Sequence, residues 1–315
     1  MTAILVAAAP AAFAQNYPAG KPIHLLVPAA PGGITDIMAR LVADHVGKTL
    51  DTRMVVENKP AGGGNVAIAQ VAKSAPDGLT LLIINVGQIA CNPWLYKDLE
   101  ADTIKDLTGV APVGVGPSLL VVNDKVPAKT AKEFVEYARA NPGKLNYGSA
   151  GNATMPHIVG AQFNHAYGVN LAHIPYRGAA PAGVALGSNE IQAAFIALGS
   201  VRPQVQQGQA RILAVVNDKR LDDLPDVPTF AEAGLPGFDL INWFGVMAPA
   251  GTPAAVVERL NAAVKAMTAD AAVQERFRKS GIMAMAEPVA QFNARIRTDH
   301  ENYGKIIKTA GIKVE

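Results

Sequence analysis

The sequence predicts an α/β protein built as two domains on either side of a cleft. Three observations support this. Short apolar runs suited to strands alternate with amphipathic helical stretches along most of the chain. A strand, a glycine turn and a helix follow one another over Ile23 to Leu50, and the same arrangement returns over Asn146 to Phe163. Two stretches, one at Gly116-Pro117 and one rich in proline over residues 224–238, read as crossovers between blocks.

Composition sets the outer limits. With 315 residues there is room for two α/β domains, each with its own core. Half the residues are hydrophobic, yet no run near twenty apolar residues exists to span a bilayer. A net charge of +2 argues against nucleic acid or an anionic membrane surface as partner. The sole cysteine, Cys91, can form no internal disulfide and reads as a small buried side chain.

Residues 1–15, MTAILVAAAPAAFAQ, are small and apolar and close with Ala12-Phe13-Ala14, the A-x-A pattern of signal peptidase cleavage before Gln15. They read as an export signal. No Lys or Arg precedes Lys21, so the positive n-region is missing, which leaves open a start upstream of Met1.

Ile23 to Val27 is a buried strand, ended by Pro28, which has no N–H to donate. Past Gly32 and Gly33, the residues Ile34, Ile37, Met38, Leu41, Val42, Val46 and Leu50 lay one apolar stripe along a helix. Thr35 or Asp36 is expected as its N-cap. Such a turn aims backbone N–H groups past the strand's carboxyl end at a positive helix terminus, where an anion is favoured.

Met54 to Glu57 follows as a strand, then NKPAGGG, then a helix from Asn65 to Ser74. Gly62, Gly64 and Ala67 satisfy G-x-G-x-x-A, but the first glycine lies too far past the strand. Asn85 also stands where an acidic residue should close the next strand, Thr80 to Ile84. The glycines therefore read as a close-packing loop, and no cofactor is expected. Pro76-Asp77-Gly78 is a turn.

Ser118 to Val122 is a strand, and Thr130 caps a helix that runs to Asn141 and stops at Pro142-Gly143. Asn146 to Gly148 ends another strand. Ser149 to Thr154 then forms a loop of small residues feeding a helix with His157, Val159, Gly160 and Phe163. Tyr147 to Gly151 only superficially matches G-x-S-x-G, and no acid and histidine follow in hydrolase order, so no catalytic residue is assigned. His157 and His165 stand roughly 12 Å apart along a helix, too far for one metal ion. His24 and His173 sit in strand-like runs and read as structural.

Leu171 to Pro175 is a strand with Tyr176-Arg177-Gly178 at its carboxyl end. Arg177 either binds a ligand carboxylate or braces its loop through a partner carboxylate. Ile191 to Ile196 and Ala210 to Val216 are strands, as is Asn242 to Ala248. Helices follow over Pro253 to Met267 and from Val289 to about Ala310.

VPAAPGGITDIMARLVA, VVENKPAGGGN, APDGLTLL, NPGKLNYGSAGNATMPHI, IPYRG, DVPTFAEAG and FGVMAPAGTP occur in that order. From about Tyr17 to the end, the chain resembles the Bug family, the TctC-like periplasmic solute-binding receptors of tripartite tricarboxylate transporters. The resemblance implies a two-domain type II periplasmic-binding-protein (Venus flytrap) fold with the ligand in the interdomain cleft. It implies a periplasmic receptor without chemistry; the two α/β blocks joined by double crossovers suggest a monomer that closes on its ligand, and no cofactor or metal is expected from the motifs above. The ligand would be a small carboxylate, delivered to the transporter's membrane subunits. Two alternatives are an exported receptor feeding a sensor system and an enzyme acting on a carboxylated substrate.

Carried over onto this chain, the family's first carboxylate-binding loop falls on Pro31, Gly32, Gly33, Ile34, Thr35 and Asp36. The second falls on Ser149, Ala150, Gly151, Asn152, Ala153 and Thr154, with His157 following. Ala153 stands where the family often has glycine, which bears on the loop's geometry if a positive φ is required there. Asn85, Tyr176, Arg177 and Trp243 are transferred because they lie at strand ends. The backbone and the Ser149 and Thr154 hydroxyls are expected to hold the carboxylate, with Arg177 as the rival anchor and Trp243 or Phe244 as a surface for a ligand ring. Domain one is assigned to 16–117 plus 236–315, and domain two to 118–235.

Overall fold

Leucine and β-branched runs buried on both faces build two mixed sheets in a computed structural model that describes residues 17–238 and 240–313. The expected export signal at residues 1–15 lies outside the described residues. In the first sheet, β1 (Ile23–Val27) pairs in parallel with β2 (Met54–Asn58) and β3 (Thr80–Asn85). The strand β10 (Trp243–Pro249) runs antiparallel between β3 and β4 (Leu107–Val115), and β11 (Met283–Ala284) adds to β4, for an order β11-β4-β10-β3-β1-β2.

The second sheet holds β5 (Ser118–Asn123), β6 (Leu145–Ser149), β7 (Leu171–Pro175), β8 (Ala193–Ile196) and β9 (Ala210–Val216), in the order β7-β6-β8-β5-β9. Here β6 is parallel to both neighbours, and β5 is antiparallel to both of its own.

The chain crosses between sheets twice, at Gly116-Pro117 and over residues 217–242. The two crossings are tied together. The Gly116 N–H donates to the Asn242 carbonyl at 2.9 Å, and Asn242 Nδ2 donates to the Gly116 carbonyl at 3.1 Å. The second crossing is also pinned by its aromatics, since Phe238 stacks on Phe230 with centroids 4.6 Å apart and both meet Phe163 edge-on.

Helices cover both sheets. On the first lie α1 (Ile34–Thr49), which turns Met38, Leu41, Val42 and Val46 inward, and α8 (Ala254–Ala269), which shares that core. The opposite face is covered by α2 (Asn65–Ala72), the turn at Gly87–Cys91 with α3 (Asn92–Leu95), and the long α10 (Val289–Thr309). Cys91 is fully buried there. Around the second sheet stand α4 (Ala131–Ala140), α5 (Met155–Tyr167), α6 (Ala179–Gly187) and α7 (Leu198–Gln206), and α9 (Ala271–Lys279) precedes β11. The core beneath α10 continues without a break into the one under α5. No described helix is long and apolar enough to cross a membrane.

Thr130 caps α4 as expected, accepting the Glu133 N–H at 3.1 Å. The N-cap of α1 is Gly33 instead of Thr35 or Asp36; both lie inside the first turn, and the reason is set out below. The elements β4, α7 and α9, like the short α3 and β11, had no sequence reading. In β4, Pro112 falls at a bulge, where Gly245 faces Pro112 and Phe244 faces Gly114, so a proline that should break a central strand is accommodated. Its glycines make room for neighbours, with Gly109 lying under Phe292 and Ile296. The helix α7 carries Pro203 inside it, and a single residue, Asp270, separates the end of α8 from α9, which it caps.

The seating of α5 on β6 fixes where the second loop emerges. A Cβ on Gly160 would collide with the edge of the Tyr147 ring. In an exposed helix, Gly→Ala would stabilise by about 1 kcal/mol. At this contact Gly160→Ala is expected to destabilise by roughly 1–3 kcal/mol, the usual result of overpacking. A urea midpoint at or above wild type would show that α5 does not pack as closely as described.

Candidate ligand-binding site

The first loop is organised by a carboxylate. Gly32 turns the chain at φ 85°, and the side chain of Asp36, only 3% exposed, reaches back from the first turn of α1. Its Oδ2 accepts from the Gly32 N–H at 2.9 Å and from Arg40 Nε at 3.0 Å, and its Oδ1 accepts from Asn58 Nδ2 at 3.0 Å. Burial alone would raise this carboxyl, but the bonds from Arg40, Gly32 and Asn58 outweigh it and hold the group below its ordinary range. Asp36 therefore caps by reaching backwards, which is why Gly33 holds the N-cap position. The N–H groups of Ile34, Thr35 and Asp36 have no hydrogen-bond partner among the described residues.

The neighbouring loops lock onto this one. Asn58 Nδ2 also donates to the Ala29 carbonyl at 3.0 Å. At the end of β3, Asn85 Oδ1 accepts the Gln88 N–H at 3.0 Å, while Gln88 Nε2 donates to the Pro28 carbonyl at 3.0 Å. Gly62, Gly63 and Gly64 all take positive φ, and a Cβ on Gly64 would stand 2.8 Å from Pro28 Cβ. These glycines serve close packing, as their spacing from the strand suggested.

The second loop is held by neutral groups. Ser149 is fully buried; its Oγ accepts the Gly151 N–H at 3.1 Å and lies 2.7 Å from His173 Nε2. Thr154 Oγ1 donates to the Gly151 carbonyl at 2.7 Å. The Ala153 N–H donates to His157 Nδ1 at 3.1 Å, with Ala153 itself at φ 59°. The backbone thus keeps a left-handed residue where alanine replaces the glycine typical of the resemblance. The imidazoles of His157 and His173 stack at 3.9 Å and 3°, and Tyr147 stacks on the far side of His173 at 4.9 Å. Burial, then the neighbouring His157, push the His173 pKa down to about 4; burial lowers His157 as well.

The two helix starts border one seam. Met155, first residue of α5, lies against Gly87, where a built Cβ would stand 3.2 Å from Met155 Cγ, and Ile34 of α1 lies near Gly116 of the first crossing. Pro31 through Asp36, Asn85, and the loop Ser149 through Thr154 therefore stand around the meeting line of the sheets, though the Ser149 and Thr154 hydroxyls are engaged within their own loop.

Other expected residues point elsewhere. Trp243 is fully buried, its Nε1 donating to Asp299 at 2.6 Å and its ring edge-on to Phe292, so it offers no face to a ligand; Phe244 is also buried. The Tyr176 hydroxyl donates to Glu190 at 2.8 Å, and burial with that carboxylate pushes its pKa up to about 12. Arg177 is exposed and has no hydrogen bond or ion pair among the described residues, so the bracing role is not seen. His24 is structural, 2.6 Å from Glu57. Among the described residues no group of three or more His, Cys, Asp or Glu could hold a metal ion. Asn58, Gln88 and His173 had no site reading; the one signal for His173 was a polar residue in the apolar run LAHIP.

The family described as "Tripartite tricarboxylate transporter family receptor" matches residues 38–312. The chain belongs to this receptor family. A UPF0065 protein of Bordetella pertussis is 35% identical over 313 residues, covering 99% of this chain and 96% of that protein. Among solved structures, an R. palustris protein with adipate is 31% identical at a TM-score of 0.83, covering 94% of this chain and 99% of that one. The periplasmic binding protein BugD is 32% identical at a TM-score of 0.78, covering 93% and 99%. MatC from Rhodopseudomonas palustris with bound malate is 29% identical at a TM-score of 0.78, covering 91% and 98%. The fold of this TctC-type receptor is thus the α/β fold of the periplasmic binding proteins.

Two predictions follow from the second loop. A left-handed alanine stores roughly 1–2 kcal/mol, and glycine gives back about 0.4–1 kcal/mol through the unfolded chain. Ala153→Gly is therefore expected to leave stability unchanged or raise it by up to about 1.6 kcal/mol in urea unfolding; a clear loss would mean the methyl is held by packing.

The second concerns pH. His173 titrates near 4 when folded and near 6.5 when unfolded, so the unfolded chain binds the extra proton first. Its stabilisation is complete above about pH 6.5 and is lost as the pH falls from there to about 4, by on the order of 1–3 kcal/mol. His173→Gln, which cannot titrate, should flatten that slope in unfolding curves across the window; an unchanged slope would place the titration elsewhere.

Proposed function

We propose that this receptor captures a small carboxylate in a cleft between the two sheets and delivers it to the membrane subunits of a tripartite tricarboxylate transporter. The observation that carries this reading is the pair of helix starts, α1 and α5, bordering one seam, with the first three N–H groups of α1 free to meet an anion. The relatives solved with adipate and with malate support the ligand class. Residues 16–117 plus 236–315 form domain one in this reading, and 118–235 form domain two. Gly116-Pro117 and the run before Phe238 act as hinges.

Three features favour a receptor for acids over an enzyme or an amine receptor. The Ser149 hydroxyl is buried, and His173, beside it, is too weakly basic to activate it. Both Asp36 oxygens are already used, so an amine finds no acidic partner there. Pro31, Gly32, Gly33, Ile34, Thr35 and Asp36 form the first loop, which donates through the N–H groups of Ile34, Thr35 and Asp36, with Asn85 at the floor, and Ser149, Ala150, Gly151, Asn152, Ala153 and Thr154 form the second. Arg177 adds a positive charge at the rim. The protein works as a periplasmic monomer after removal of the export signal that ends before Gln15.

Adipate or malate should raise the melting temperature and shrink the radius of gyration in scattering, while 1,6-diaminohexane does neither. Because Arg177 is exposed, its pairing with a carboxylate is worth about 0.2–1 kcal/mol, so Arg177→Ala should weaken calorimetric affinity roughly two- to five-fold. Stabilisation by the diamine alone, or no change of radius with binding verified, would overturn the reading. Abolished binding in Arg177→Ala would make that residue the anchor in place of the backbone.

A further inference from the structure

We infer that the stacked imidazoles of His157 and His173 are positioning residues for the second loop, and that the loop keeps its binding shape only while His157 is uncharged. This rests on the carboxylate-receptor reading above. The pair sits behind the loop and holds it at both ends. At the far end, His157 Nδ1 accepts the Ala153 N–H, so the ring's own proton must be on Nε2. That bond holds Ala153 in its left-handed conformation, which an alanine would otherwise leave.

At the near end, the Ser149 Oγ lies between His173 Nε2 and the Gly151 carbonyl, at 2.7 and 3.0 Å. The Gly151 carbonyl is already served by the Thr154 hydroxyl and N–H. The single Ser149 proton is therefore assigned to His173, whose own proton then rests on Nδ1. The two rings lie face to face at 3.9 Å, so each fixes the plane of the other.

A proton has different consequences at the two rings. On His173 it turns Nε2 into a donor, and the Ser149 hydroxyl can accept that bond by turning its own proton to Gly151. On His157 it sets a second N–H against the Ala153 N–H, and although a ring flip can remove that clash, no rotation gives the charged ring an acceptor for Ala153. Charging both would place like charges in van der Waals contact.

The groups facing the pair do nothing to hold such a charge. From β6 come Tyr147, whose hydroxyl donates to the His157 carbonyl, and Ser149. A cavity of about 320 Å³ beside His173 is lined by His165 of α5 and by Thr309 and Ala310 at the end of α10. No carboxylate among the described residues pairs with either ring. The burial that lowers both rings agrees with a pair kept neutral.

Two substitutions separate the acceptor from the ring. His157→Asn offers an amide oxygen close to where Nδ1 stood and cannot titrate; His157→Phe keeps the stack and removes the acceptor. With adipate as the probe in calorimetry at pH 7.5, His157→Asn should bind within a few-fold of wild type, and His157→Phe on the order of ten-fold more weakly. Lowering the pH to 5 should weaken wild type more than His157→Asn, which shares the ionisation of adipate itself and so serves as the reference. Equal affinity in Asn and Phe variants at pH 7.5, or the same pH response in wild type and His157→Asn, would overturn the inference.

An arm without ligand keeps the two readings apart. Nitrogen-15 spectra should show His157 as the Nε2–H tautomer, with the Ala153 amide shifting as His157 titrates. Should adipate and malate both fail to bind, the receptor reading falls while these spectra still decide the pair. An Nδ1–H tautomer, or an Ala153 amide indifferent to the titration, would refute it.

Discussion

A single buried carboxylate holds the first of the two helix-start loops together. Asp36 joins the turn after β1, the end of β2 and the first turn of α1, and each of its bonds comes from a different piece of chain. Charge-assisted bonds of this kind are about twice as strong as neutral ones, and here they offset the burial of an ion. The same bonds occupy both oxygens of the Asp36 carboxylate and leave the N–H groups at the positive end of α1 without an internal partner. Asn58 and Gln88 extend the lattice to the loops after β2 and β3, so the carboxyl ends of three parallel strands behave as one surface.

The second half reaches a similar end with uncharged groups. Ser149, Thr154 and two imidazoles close the loop through short bonds, and the one strained residue, Ala153, is tied at its N–H. Chemistry of this sort tolerates burial without a counterion, which suits a loop set at the end of the buried strands β6 and β8. The seam between the halves thus brings a charged, rigid cage opposite a neutral one.

Local signals made much of this legible. Strands such as β1, β3 and β7 stand where apolar runs were bounded by proline or glycine, and Thr130 caps α4 where a side-chain oxygen preceded the helical period. Both strand-to-helix turns could be read because a glycine turn between strand and helix is a local pattern. What escaped reading depends on distant partners. The bulge that admits Pro112 exists only because Gly245 lies opposite, and the role of His173 comes from a serine 24 positions earlier. Trp243 misled for the same reason: its place at a strand end suggested a ligand face, but Asp299, far along the chain, claims its N–H.

The position of β10 has a consequence for the order in which the chain can fold. It lies between β3 and β4, so β4 has neither of its sheet partners until residues 243–284 are present. All five strands of the second sheet, by contrast, are complete by Val216. The block that begins last is therefore able to close first, while β3 waits with an open edge for a strand from near the carboxyl end. A chain truncated before Trp243 would keep one sheet whole and leave the other with an exposed parallel edge, the kind of surface on which unfinished chains aggregate.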